Sequence, residues 1–255
     1  DSAWPLAQRG LVRALTTMGK YDDAESAARR AASSARGREV ANALGEALAR
    51  RGKTQEAEQA FERSVAEHAS DSLIAAMNLA VLHYERGERE RAMKEFDRFI
   101  DVYNNSAGSL RADDLIAVAV ACRYLGGDNP QLFKDALKAF DRAIQTAGDS
   151  PEADEARVRL GELFLEKYNS EDAQSTFDEV LRENASDPRA LLGAARRASF
   201  DDQPGADSLL ARALKVNPEY PEAHVFRAEL FLDVEDYRGA EREAHRALQV
   251  NPTLS

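Results

Sequence analysis

The chain reads ALKVNP at residues 213–218 and ALQVNP at residues 247–252. Thirty-four residues separate the two strings. A near-copy at a fixed interval in the 20–50 range is the mark of a solenoid, whose units bury their apolar faces only against neighbouring units. Each string closes a helix, because Asn tolerates a positive φ and the residue ahead of Pro is steered out of the helical region. Working backward from Pro252, the pattern extends through Ala247, Ala244 and Ala240 to Ala228-Glu229-Leu230-Phe231. The same offsets return at Leu44-Gly45 with Ala57 and Phe61, at Leu79-Ala80 and His83 with Ala92 and Phe96, and at Leu160-Gly161 and Phe164 with Ala173 and Phe177.

A helical hairpin fixes the distance from its first small residue to its second. Gly45 to Ala57, Ala80 to Ala92, Gly161 to Ala173 and Ala228 to Ala240 are twelve residues apart, as are Val12 to Ala24 and Ala194 to Ala206. A seventh pair, Ala121 and Ala136, is three residues longer. The excess falls in Gly126-Gly127-Asp128-Asn129-Pro130, which is turn chemistry, so it lengthens a loop and spares both helices. Small residues at these sites let two helices approach closely, while the Phe or Leu side chains beside them fill the space. Gly19, Gly52 and Gly87 stand where each first helix must stop, as left-handed caps do.

This pattern of Leu-Gly/Ala, a later Ala-x3-Phe and a closing Pro resembles the tetratricopeptide repeat. The resemblance implies an all-α fold: a right-handed α-α superhelix of seven helical hairpins, about fourteen helices, forming one solenoid over residues 1–255. Repeats are expected at 5–37, 38–71, 72–106, 113–150, 151–186, 187–220 and 221–255, with a loop or helix extension at 104–112. Repeat six, with Arg197 in the aromatic position and Gln203-Pro204-Gly205 in its turn, is expected to pack least well. Repeat seven, with no capping element after it, is expected to leave an apolar edge uncovered, as in a piece of a longer protein.

Composition narrows the function classes. The 255 residues are 44% hydrophobic and 31% charged, an ordinary globular balance. Thirty-four Lys and Arg against forty-five Asp and Glu give a net charge of -11, which repels a phosphate backbone and argues against nucleic acid. No apolar run approaches the ~20 residues that a membrane helix needs. The excess of Arg over Lys and the abundance of Ala suggest a GC-rich bacterial genome; a soluble protein is expected, with cytoplasm and periplasm both left open. The single cysteine, Cys122, excludes an internal disulfide.

Catalytic patterns are missing. His68, His83, His224 and His245 sit in separate repeats without metal-ligand spacing, and no phosphate-binding or dinucleotide loop occurs. Acidic pairs such as Asp22-Asp23 and Glu171-Asp172 fall at turns or helix starts, where they complement the helix dipole. No enzyme activity and no cofactor is expected.

In tetratricopeptide proteins the first helix of each repeat lines a concave face that holds extended peptides or helices. Carried over residue by residue, that implies a groove lined by Arg9, Arg13, Asn42, Met77, Asn78, Val81, Tyr84, Val118, Cys122, Glu162 and Glu229. It would be basic at one end, apolar in the middle and acidic at the other. The family's clamp for a C-terminal carboxylate is not matched, since Ala43, Ile74 and Leu115 stand where Asn and Lys are required. The apolar stretch has a competing reading, in which Met77, Val81 and Val118 pack against the insertion at 104–108. The expected function is a protein-interaction scaffold with a peptide or protein partner; the alternative is an accessory spacer of a larger bacterial enzyme such as a metallopeptidase-like protein.

Overall fold

The computed structural model describes residues 3–34, 37–67, 72–106, 108–127 and 129–254. His68, Ala107, Asp128 and Ser255 lie outside them. Among the described residues fourteen α-helices form seven antiparallel hairpins. They are α1 Ala3–Thr17 and α2 Tyr21–Ala32, α3 Ala41–Arg50 and α4 Thr54–Ala66, and α5 Ser72–Glu85 and α6 Arg89–Ser106. The fourth hairpin is α7 Ala112–Leu125 and α8 Pro130–Ala147, and the fifth is α9 Pro151–Glu166 and α10 Ser170–Glu183. Then come α11 Pro188–Phe200 and α12 Ala206–Val216, and α13 Pro221–Asp233 and α14 Tyr237–Val250. First helices of successive hairpins touch from α1 through α11, whereas second helices share no comparable contact. The array is an all-α solenoid with its first helices innermost.

The small residues act as their spacing requires. A β-carbon at Gly45 would lie 2.4 Å from the Phe61 ring, and one at Gly161 2.6 Å from the Phe177 ring. These rings are among the largest fully buried side chains, with Phe96 and Phe140 at the equivalent position of hairpins three and four. Gly19, Gly52 and Gly87 end their helices at φ of 75°, 67° and 83°. In hairpins five, six and seven the same left-handed turn position is taken by Tyr168, Asp202 and Glu235, at φ of 59°, 51° and 60°.

Two expectations need correction. Asn217 and Asn251 do not adopt a positive φ: they are extended, at φ -126° and -131°, as the following Pro dictates. Before repeat four, the residues at 104–106 extend the second helix of hairpin three, since α6 runs 18 residues to Ser106, and α7 begins only at Ala112. The three extra residues of the fourth hairpin lengthen its second helix instead of sparing it: α8 begins at Pro130, six residues before Ala136, where α4 and α6 begin three residues before Ala57 and Ala92, and the Asn129 side chain caps it by accepting from the Gln131 amide at 3.0 Å. In hairpin six Arg197 is buried and bonds to Gln174 and Gln203, while its Nε makes no hydrogen bond and only pairs with Asp201 at 3.5 Å.

The extended asparagines have a second task. Asn217 donates to the Tyr21 hydroxyl at 3.0 Å, and its Oδ1 lies 2.3 Å from where a β-carbon on Gly19 would be. Asn251 and Pro252 stand in the same relation to Gly52, with Oδ1 2.6 Å from the equivalent point. The superhelix therefore completes a turn within seven hairpins: the turns of hairpins one and two seat on the loops that end hairpins six and seven. At those two turns Gly is needed twice, for its φ and for the close approach. Hairpin seven thereby gains a neighbour at its final loop.

Candidate functional site

The inner face is built from first-helix side chains, and several of them bridge the interior. Arg13 on α1 donates to the Pro151 carbonyl at the start of α9 at 3.1 Å and pairs with Glu155 at 3.5 Å. Glu155 also receives Arg159 of its own helix at 2.6 Å and Arg189 of α11. Burial alone would raise the Glu155 carboxyl, but Arg189, Arg159 and Arg13 outweigh it and hold the group well below the usual range. Farther along, Arg50 at the end of α3 pairs with Glu222 of α13. Glu222 fixes the guanidinium in its charged form while 41% of that side chain stays exposed, as in a narrow wet passage. Glu85 faces the same pair, and burial pushes its carboxyl upward.

Near the middle, Tyr84 meets Tyr124 edge-on at 4.8 Å, and Tyr124 stacks on Phe96 at 4.7 Å. The Arg89 guanidinium lies 5.0 Å over the Tyr84 ring. Arg123 beside them pairs with Glu166 and, at 3.5 Å, with Glu162. Tyr84 and Val81 are half-buried, so this is an apolar shelf framed by charge.

The expected groove residues fall into three groups. Met77, Val118 and Cys122 belong to the core and are 1–2% exposed, so they offer no surface to a ligand. They share that core with Ile100, Tyr103 and Leu110, on either side of the 104–108 segment against which the packing reading places them. Asn42 and Asn78 bond to each other at 3.0 Å and both to Glu46, so neither is a free carboxylate holder. Arg9 lies close to Asp113 on α7, and Arg13 is engaged with Glu155. Val81, Tyr84, Glu162 and Glu229 remain accessible. The basic end of the expected groove thus meets Asp113 and Glu155, neither of them a residue of the expected acidic end. Arg50, Glu155, Arg189 and Glu222 carry no local signal in the sequence; only the superhelical pitch reveals them.

No group of three or more His, Cys, Asp or Glu able to hold a metal occurs among the described residues. His83 is fully buried between two carboxylates, Glu95 at 2.7 Å and Glu58 at 3.2 Å, and His224 lies between Glu243 at 2.6 Å and the Pro218 carbonyl at 2.8 Å. Both rings tie first helices to second helices. Cys122 is buried, which with Asp135 nearby pushes its thiol up to about 11, far from a nucleophile's range.

Stacked hairpins that present an inner row of side chains define a helical-repeat scaffold of the kind that works through protein partners. The tetratricopeptide repeat profile matches residues 9–72, 42–107 and 131–188, and the chain belongs to that family. A tetratricopeptide repeat protein from Parabacteroides merdae has a similar crystal structure, with a TM-score of 0.56 at 17% identity over 96% of this chain and 93% of that one. A structure described as MamA RS-1 ArsTM double mutant gives 0.44 at 17% identity over 69% of this chain and 92% of its own. YrrB, described as having an unusual peptide-binding site, gives 0.41 at 17% identity over 72% and 88%. No curated protein matches. No helix among the described residues is long and apolar enough to cross a membrane.

Proposed function

We propose that this chain is a non-catalytic scaffold that holds a segment of a partner protein along its inner face at hairpins three to five. The shelf of Val81 and Tyr84, half-buried beside the Tyr124 and Phe96 rings, carries this reading, because a partly exposed aromatic with fixed neighbours is the usual anchor point of a protein interface. The Arg123 pairs with Glu162 and Glu166 rim the shelf and set orientation more than affinity. Acidic groups on the partner compete with Glu155 for Arg13, so they do not find a free cation there.

A peptide selected for binding from a random library tests the assignment. Tyr84→Ala should weaken it by about 2 kcal/mol, roughly thirtyfold in Kd, while Arg63→Glu on the convex side leaves it unchanged. Loss of binding in Arg63→Glu alone overturns the inner-face assignment.

A further inference from the structure

The turns that join the two helices of each hairpin differ along the array. Hairpins one to three turn on glycine, with Lys20, Arg51, Lys53, Arg86 and Arg89 but only Glu85 and Glu88 within two positions of Gly19, Gly52 and Gly87, whereas Lys167 is the one basic residue that close to Tyr168, Asp202 or Glu235. Hairpins five to seven turn on Tyr168, Asp202 and Glu235, each held at a positive φ that costs an L-residue about 1 kcal/mol. Around them stand exposed apolar side chains: Tyr168 at 78%, Val234 at 71%, Tyr237 at 68% and Phe200 at 52%. Tyr168 and Phe200 sit 5.7 Å apart, and Ser170 bonds to Asp201 between them, so turns five and six form one surface. Glu171, Asp202, Asp233 and Glu235 are exposed and make no ion pair among the described residues.

A strained tyrosine that stays in solvent, beside a second exposed ring and carboxylates without counter-charges, contributes nothing to folding that glycine would not do better. We propose that the turn edge of hairpins five to seven is a second docking surface, which takes an arginine-rich segment of a partner protein with apolar side chains between its arginines. Guanidinium groups stack on the faces of Tyr168 and Phe200 and pair with the flanking carboxylates, while the intervening apolar groups cover Val234. Charge selects this occupant: the edge repels acidic segments, and an uncharged apolar segment would leave four carboxylates unpaired.

A fluorescent peptide of alternating arginine and leucine is the probe, titrated against the full chain. Because a chain of net charge -11 attracts any polycation, the deciding variant is charge-neutral. Tyr168→Gly combined with Phe200→Ser should weaken binding by about tenfold or more. Glycine accepts the positive φ, so this variant keeps its fold. Removing equally exposed apolar groups at the other end, with Leu6→Ser and Met18→Ser, should leave affinity within about twofold. Asp202→Asn with Glu235→Asn should flatten the salt dependence. The proposal is overturned if the peptide does not bind the parent, if it binds Tyr168→Gly/Phe200→Ser as tightly as the parent, or if Tyr84→Ala abolishes binding instead.

Discussion

A β-carbon at Gly161 would lie 2.6 Å from the Phe177 ring, and one at Gly193 would lie 2.3 Å from the same ring. One phenylalanine is thus clasped by the first helices of two successive hairpins, and neither can move away without opening the stack. Gly161→Leu should overpack this site and cost ~1–3 kcal/mol, whereas Glu179→Gln on the exposed face, where Arg157 keeps Asp154 as a partner, should stay within about 0.5 kcal/mol. Denaturant midpoints measure both, and equal midpoints refute the clasp. Gly161 and Phe177 were legible in the sequence because their offset recurs with Gly45 and Phe61, so a local rule is enough. Gly193 was not. Its partner belongs to the preceding repeat, and a pattern written within one repeat does not contain that contact. Asn217 and Asn251 show the same limit more sharply, for a helix stop was readable in them and a dock some two hundred residues away was not.

At the scale of the element, α7 departs most from the expected groove. From Leu115 to Cys122 every side chain is at most 2% exposed, so over this stretch the helix has no free inner face and only Arg123 and Tyr124 beyond it reach the shelf. The cause is its neighbours: α6 and α8 each run 18 residues against 14 in α7, about 6 Å longer, and both cover it. The signal was present in the unbroken apolar run of residues 115–122, since a helix apolar all round is a buried helix. Position in the repeat assigns Val118 and Cys122 to the inner face, but the all-round apolar character of α7 buries them. The burial can be measured at Cys122, whose thiol is raised to about 11 from 9.0. Near neutral pH this leaves on the order of a hundredfold less thiolate than in an exposed cysteine, and steric exclusion adds to it. A disulfide reagent should therefore modify the folded chain at least about a hundredfold more slowly than the chain in denaturant. Equal rates in the two states would show that α7 is open to solvent.

Over the whole molecule, closure depends on a few contacts between distant hairpins: two Asn-to-turn seats, Arg13 with Pro151 and Glu155, and Arg50 with Glu222. None joins extensive apolar surfaces, so the closed turn rests largely on charge. Glu155 sets the pH window. Its folded-state pKa lies well below the 4.5 of an ordinary glutamate, so its contribution is complete above about 4.5 and is lost as pH falls toward the folded value. Arg50→Glu attacks closure from the other side, because the new carboxylate would face Glu222 and Glu85 with no cation between them. The hairpins do not depend on that pair, so helical circular dichroism should match the parent while the radius of gyration from small-angle scattering rises. Lowering the pH toward 4.5 should partly reverse the expansion, since burial already holds Glu85 toward its neutral form and protonation removes the repulsion. Arg63→Glu makes the same charge change on the convex side, where its partner Glu67 lies one helical turn away, and should leave the radius unaltered. If the two variants scatter alike, the Arg50–Glu222 bridge does not hold the superhelix closed, and that task falls to the contacts of Arg13 with Pro151 and Glu155 and to the seats of Asn217 and Asn251 on the glycine turns.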